Sequence, residues 1–343
     1  MRSHSLIVVL ILASFVILFA CAGVKVNYRL PSVPEEGGIK LTKITDIEDG
    51  VGYLLITVHP DGSISYGPSI SSGVREFFDI SKDGTKVAYM GWKNNKGNIF
   101  VKDLRAGKAT LQRTFRDNIY DVSFSPDGKV IAFADYRDDS WNIYTVNAEA
   151  GSAIRQITTS KLPELYPIFS PDGNSILFVQ TETQVVDKQI INRDYLWKYD
   201  LDKGSLTQYA EGSCPAFVPD GDKVVITRFN KETVLGELWL VDLEKGQEFL
   251  IASSKERGFS YPSVSPDGKK IAFVSGTEEK NIPFNLDIYL INIDGTNLTQ
   301  LTFHHGHDFC PRWSPDGNSI YFISQRGSEK GEWNIWGMDL KSE

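Results

Sequence analysis

The chain has 343 residues, 41% hydrophobic content and a formal net charge of −8 at pH 7. That is enough apolar material for a large buried core, and it excludes a disordered chain outside a short tether. The acidic balance, without any basic stripe, excludes nucleic acid as the natural partner, because a phosphate backbone calls for clustered Lys and Arg.

At the N-terminus, Arg2 supplies a small positive segment, Leu6 to Phe19 is an apolar run, and Leu18-Phe19-Ala20 leads into Cys21. The arrangement resembles a bacterial lipoprotein signal with its lipobox, which implies a signal peptide over residues 1–21 and lipidation of Cys21. Phe19 departs from the usual occupant of that box. The alternative is an uncleaved anchor, for which the apolar run is short. Either way the remainder is expected outside the cytoplasm, held at the membrane of a bacterial cell envelope by a Pro-, Gly- and Glu-rich tether over 22–38.

From residue 39 onward the pattern is all-β. Leu41-Thr42-Lys43-Ile44-Thr45 reads as a lone strand. Asp46 to Gly73 then carries a hairpin of its own, Tyr53 to Val58 and Ile64 to Tyr66, joined by His59-Pro60-Asp61-Gly62. This insertion is either a flap or the remnant of an extra sheet.

Six copies of Ser-Pro-Asp-Gly or a near relative follow, starting at Ser81, Ser125, Ser170, Val218, Ser265 and Ser314, at intervals of 44, 45, 48, 47 and 49 residues. That period is the length of one four-stranded sheet with its turns. Each phrase is a turn: Pro presets φ, Asp bonds nearby backbone N–H groups, and Gly takes positive φ. An apolar strand precedes it, such as Tyr120 to Phe124. A second strand follows, such as Ile131-Ala132-Phe133, Ile176-Leu177-Phe178, Ile271-Ala272-Phe273 or Ile320-Tyr321-Phe322. The third carries an aliphatic-aromatic pair in every copy: Ile99-Phe100, Ile143-Tyr144, Leu196-Trp197, Leu238-Trp239, Ile288-Tyr289 and Ile335-Trp336. These pairs read as packing between sheets, not as a ligand platform.

The fourth strand, Leu298-Thr299-Gln300-Leu301-Thr302 in the fifth copy, is missing from the sixth, and Leu41 to Thr45 repeats its pattern. The fold expected is therefore a monomeric six-bladed β-propeller spanning 39–343, of four-stranded antiparallel blades, with the N-terminal strand completing the last and removing open sheet edges.

Strand direction places the Asp-Gly hairpins and the third-to-fourth turns, such as Lys203-Gly204 and Asp294-Gly295, on one face. The opposite face receives the crossovers and the second-to-third connections: Gln180 to Asp194, Arg228 to Glu237, and Ser275 to Leu286. Uneven loops on a rigid ring are where recognition usually sits. Binding is expected there, at the channel mouth, with Asp121, Tyr166, Tyr261, His304, His305, His307 and Asp308 as candidates. Imidazoles and a carboxylate suit a transition metal, so His304, His307 and Asp308 are the candidate ligands of a divalent metal, against a plain solvated loop. Glu76 and Asp121, at the starts of first strands, are possible acid-base groups. Cys214 and Cys310 share one repeat position in blades that are not neighbours, and read as buried thiols with a disulfide as the alternative. No nucleophile elbow, His-Glu-x-x-His, phosphate loop or Cys-x-x-Cys is present.

The pattern Pro-x-Trp/Phe-Ser-Pro-Asp-Gly-x-x-Ile-Ala-Phe, followed by Ile-Tyr or Leu-Trp, resembles the propeller of the TolB family and its WD-like repeats, from about Ile39 to the C-terminus. That resemblance implies an envelope-anchored binding or scaffold module recognising a protein or glycan partner, without a cofactor. TolB proteins carry an additional α/β domain and work with a peptidoglycan-associated lipoprotein; no such domain is expected within these 343 residues. Related propellers accompany prolyl oligopeptidase-type peptidases and form pectate-degrading lyases with histidine-bound metal. The resemblance therefore also implies an enzymatic alternative, a metal-dependent lyase or hydrolase near His304 to His307.

Overall fold

The computed structural model describes residues 35–36, 39–44, 54–58, 64–68, 74–93, 96–105, 110–114, 118–149, 153–186, 189–277, 285–327 and 333–340. Cys21, the tether up to residue 34, and most of the 46–73 insertion lie outside that set, and only the backbone of Glu76 is within it.

Before the repeats come β1 (Glu35–Glu36), β2 (Ile39–Lys43) and the hairpin of β3 (Leu54–Val58) and β4 (Ile64–Pro68). Blade one is β5 (Val74–Ile80), β6 (Lys86–Lys93), β7 (Lys96–Asp103) and β8 (Leu111–Gln112). Blade two is β9 (Ile119–Phe124), β10 (Val130–Arg137), β11 (Ser140–Asn147) and β12 (Arg155–Gln156). Blade three is β13 (Glu164–Phe169), β14 (Ser175–Val186), β15 (Gln189–Asp200) and β16 (Leu206–Glu211). Blade four is β17 (Ser213–Phe217), β18 (Lys223–Phe229), β19 (Gly236–Asp242) and β20 (Glu248–Ala252). Blade five is β21 (Phe259–Val264), β22 (Lys270–Thr277), β23 (Asn285–Asn292) and β24 (Thr299–Gln300). Blade six is β25 (Asp308–Trp313), β26 (Ser319–Ser324) and β27 (Asn334–Asp339).

The N-terminal strand closes the ring as its sequence pattern predicts. β2 pairs antiparallel with β27, with Leu41 opposite Met338 and Lys43 opposite Trp336, so Lys43 fills the rung held by Gln112, Gln156 and Gln300 in complete blades. β1 adds a fifth strand outside it. The hairpin β3–β4 forms a separate two-stranded sheet. It is not a seventh blade, since the first strand of blade six packs directly on the first strand of blade one.

The turns mesh in the same circle. Ser Oγ donates to the turn Asp at 2.6 Å in Ser81–Asp83, Ser125–Asp127, Ser265–Asp267 and Ser314–Asp316, holding the loop shape. The turn glycines Gly173, Gly221, Gly268 and Gly317 have positive φ and lie against Pro126, Pro171, Pro219 and Pro266 of the preceding blade. Gly84 lies against Pro315, which carries the contact from blade six back to blade one.

The second strands depart from simple alternation. Ile131, Ala132, Phe133 and Ala134 are all fully buried, as are Ile271, Ala272, Phe273 and Val274. A blade has neighbours on both faces, so both sides of its strands are apolar; each such Phe contributes about 1.5–3 kcal/mol by burial. The third-strand aromatics stack chiefly within their own blade: Tyr89 on Phe100 at 5.7 Å and Phe133 on Tyr144 at 5.9 Å. They lie on one ladder rung in each case, which places the contact inside the sheet, not between sheets.

Candidate functional site

Each first strand is broken by a bulge, and that bulge builds the axis. The ladder register skips at Asp121, at Tyr166-Pro167, at Cys214-Pro215, at Tyr261-Pro262 and at Cys310-Pro311. Asp121, Tyr166, Cys214, Tyr261 and Cys310 all adopt φ between 48° and 58°. Five non-glycine residues in the left-handed region, at one repeat position, mark a constraint imposed by the architecture. In the last four of these bulges a proline at the next position removes an N–H that the strand would otherwise leave without a ladder partner.

The bulges almost close the channel. Asp121, Tyr166, Cys214, Tyr261 and Arg312 line an axial cavity of about 30 Å³, room for a few water molecules. Tyr166 donates its backbone N–H to Asp121 Oδ2 at 2.7 Å, across the boundary between blades two and three. Asp79 Oδ2 likewise accepts the Phe124 N–H at 2.7 Å from the next blade. Burial raises the Asp79 carboxyl, and the Arg312 guanidinium works against that shift. The candidates Asp121, Tyr166 and Tyr261 are thus brought together, but buried and engaged in joining blades.

The histidine segment is placed elsewhere, in the crossover between blades five and six. His304 is buried and His305 exposed, so adjacent imidazoles point opposite ways. His304 Nδ1 accepts the Gly306 N–H at 3.0 Å, and His307 Nδ1 accepts the Leu286 N–H at 3.2 Å. His307 also stacks on Trp333 at 6.4 Å. Burial pushes the His304 imidazole down to about 4, with Arg326 adding to the shift, and burial lowers His307 as well. Asp308 is fully buried in an ion pair with Arg326 at 2.5 Å. Among the described residues no group of three or more His, Cys, Asp or Glu side chains could hold a metal ion. The three expected ligands hold the crossover and do not converge on a centre.

Cys214 and Cys310 are both buried and form no disulfide, and burial raises the Cys214 thiol well above its ordinary range.

Two buried carboxyls were not among the sequence candidates. Glu164 is 1% exposed; Thr158 Oγ1 donates to its Oε2, and Gln180 Nε2 donates to its Oε1 at 3.0 Å. Burial pushes it up to about 7. Burial likewise pushes Asp194, which accepts the Thr181 hydroxyl at 2.7 Å, up to about 6. Glu164 stands six residues before its turn serine, as Asp308 does; aligning the repeats on the turn would have flagged both.

The face of crossovers is the uneven one. Gln180 to Asp194, read from sequence as a loop, is instead a ribbon: β14 and β15 pair without interruption from Ser175–Asp200 to Val186–Gln189. Its outer part extends past the neighbouring strands, whose pairing ends at Gln180 and Tyr195. Val185 is 71% exposed there, and Val234, at φ 59°, is 62% exposed in the corresponding connection of blade four. Ile191, Leu162 and Phe303 add apolar surface on the same side. Among the described residues no helix is long and apolar enough to cross a membrane.

Comparison with known proteins agrees with this geometry. The family profile described as TolB beta propeller domain matches residues 77–195 and 200–343. An uncharacterized protein of Agrobacterium fabrum is 28% identical over 178 residues, 49% of this chain and 57% of that one. Dipeptidyl-peptidase 5 of Porphyromonas gingivalis is 32% identical over 66 residues, 19% of this chain and 10% of that protein. The matches thus span little more than half of the curated relatives' length, or far less. Among solved structures, TolB from Acinetobacter baumannii superposes with a TM-score of 0.56 at 21% identity, covering 81% of this chain and 68% of that one. An oligogalacturonate lyase from Vibrio parahaemolyticus gives 0.56 at 12% identity, covering 89% and 94%. At these identities the likeness is one of fold.

Proposed function

The chain belongs to the TolB β-propeller family, and on that footing we propose that it is a recognition module of the bacterial envelope, holding a protein or glycan partner on the long-loop face. The observation that carries this reading is the β14–β15 ribbon, which projects from that face with Val185 and Ile191 exposed. A paired ribbon loses less conformational freedom on binding than a loose loop, so its exposed Val185 and Ile191 are a low-cost contact. Val234 supports the same reading: a β-branched residue in the left-handed region is costly, and such strain is retained where a surface has a role. Among the described residues the axial cavity, about 30 Å³, offers room for water-sized groups only.

An extracytoplasmic location, with the lipid anchor at Cys21, completes the reading. Cys21→Ser tests the anchor: a lipoprotein loses its acyl label and its membrane retention, whereas an uncleaved anchor stays in the membrane.

Affinity capture from solubilised membranes, together with a glycan array, tests the face. The intact protein is compared with one whose residues 183–192 are replaced by a two-residue Asn-Gly turn. A partner retained by the intact protein and lost by the shortened one supports the proposal; equal retention by both sinks it. The lyase or hydrolase reading, motivated by fold likeness to oligogalacturonate lyase, makes a different forecast. Purified protein would contain a stoichiometric metal, and His307→Ala would abolish turnover on pectate fragments.

A further inference from the structure

Position six before the turn serine carries a buried carboxyl in two blades, and the two are treated differently. In blade six, Asp308 is matched by the Arg326 guanidinium at 2.5 Å. In blade three, directly across the ring, Glu164 is equally buried and is met by two neutral donors, Thr158 and Gln180.

Those two donors belong to different blades. Thr158 lies two residues past β12 of blade two, and its Oγ1 accepts the Ile143 N–H at 2.9 Å, so its own proton is directed at Glu164. Gln180 sits on the second strand of blade three and also reaches Ser160 Oγ at 3.2 Å. Ser160 in turn donates its N–H to Asn142 Oδ1 at 2.5 Å, and Ser140 Oγ donates to the Leu162 carbonyl at 3.3 Å. One carboxyl therefore stands at the centre of a neutral hydrogen-bond cluster that ties the 159–163 crossover to both blades.

The charged groups on the surrounding elements leave Glu164 without compensation. Arg155 on the closing strand and Lys161 in the crossover are exposed, and Glu182 on β14 is half-buried. Asp135 on β10 is paired with Arg137 at 2.7 Å, and Asp121 on β9 accepts the Tyr166 N–H. Asp138 and Asp139 in the β10–β11 turn are exposed. None of them adds a charge effect at Glu164, where burial raises the carboxyl and the two hydrogen bonds from Thr158 and Gln180 only partly offset it.

We propose that Glu164 is a proton-operated clamp: neutral, it locks the crossover between blades two and three, and ionised, it loosens that crossover on the long-loop face. The neutral acid can donate to Thr158 Oγ1, whose own proton then turns away from it, while still accepting from Gln180. An ionised carboxylate in the same place bears a buried charge that no cation among the described residues offsets. Because the folded acidity constant, about 7, lies above that of an unfolded chain, the native state binds the extra proton. The stabilising contribution is complete at acid pH and is lost as pH rises through neutrality. This holds whether or not the long-loop face binds a partner.

The test compares wild type with Glu164→Gln, which imitates the neutral acid. Amide exchange at residues 159–162 in the wild type, corrected for intrinsic rates, should lose protection by up to about tenfold per pH unit between roughly pH 5 and 7. The variant should stay protected. The melting temperature of the variant should gain about 3 °C on the wild type between pH 5.5 and 8.5. Parallel pH profiles for the two proteins overturn the proposal. Where the variant fails to fold, carbon-detected NMR of the Glu164 carboxyl in the wild type decides alone: titration near neutrality supports the clamp, and titration near 4.5 overturns it.

Discussion

The backbone N–H of Tyr166 is held by Oδ2 of Asp121 at 2.7 Å, although the two residues belong to different blades. Both sit in the left-handed region at the same repeat position. A bulged backbone gives up its ladder partner, and here a side chain of the preceding blade replaces it. The position that looked from sequence like a mouth carboxylate is a pin between sheets.

Asp121→Ala should accordingly destabilise the fold by about 1–3 kcal/mol, the cost of leaving a buried donor unsatisfied. Asp121→Asn keeps an acceptor oxygen and should lose less. Urea denaturation of both variants checks this, and equal losses would remove the pin.

Deleting residues 39–43 should destabilise the whole ring, not one blade. The strand contributes buried Leu41 and its ladder with β27, together on the order of 3–6 kcal/mol. Calorimetry should show one transition at lower temperature; an unchanged melting point would refute closure by this strand.

His304 sets an acid limit of opposite sign to Glu164. Its folded value, about 4, lies below the ordinary histidine value of 6.5, so between those values the unfolded chain binds more protons. Stability therefore rises with pH across that window and is lost as pH falls through it. His304→Asn, which can still accept from Gly306, should flatten the melting profile between pH 4 and 6.5 relative to wild type.

The two buried thiols should be inert in the folded protein. Maleimide labelling followed by peptide mapping should leave Cys214 and Cys310 unmodified in native buffer and modify both in urea. Labelling of either without denaturant would contradict their burial.

Arg326→Met removes the cation that matches Asp308 and should cost about 3–5 kcal/mol. The double variant Arg326→Met with Asp308→Asn should recover part of that loss, measured by the same urea titration.

Much of this architecture was readable in the chain because it is periodic. The turn phrase recurs, and each of its residues has a local reason to be there: Ser81 bonds Asp83, and Gly84 must take positive φ. Even the closing strand was visible, since Leu41 to Thr45 copies a neighbour's pattern. The departures are non-local. Nothing local tells that Tyr166 and Cys214 bend into the left-handed region, because the bend comes from crowding around the axis. The Gln180 to Asp194 segment lacks a compact turn signal at a fixed offset, so its pairing was hidden in a polar stretch. Glu164 resembles any surface glutamate until blade two is laid over it. Residue type alone suggests ligands in the histidine segment; it does not show that Nδ1 of His304 and of His307 accept backbone N–H groups of Gly306 and Leu286.

The N-terminal seam also decides how the ring meets mechanical load. A pull on the chain ahead of Ile39 reaches β1 and β2 first, and β2 is fastened to β27 by the rungs from Leu41–Met338 to Lys43–Trp336. All other blades are made from uninterrupted sequence and feel that pull only through their neighbours. Tension would therefore part the molecule at blade six, peeling the borrowed ribbon from Met338 before any other sheet gives way.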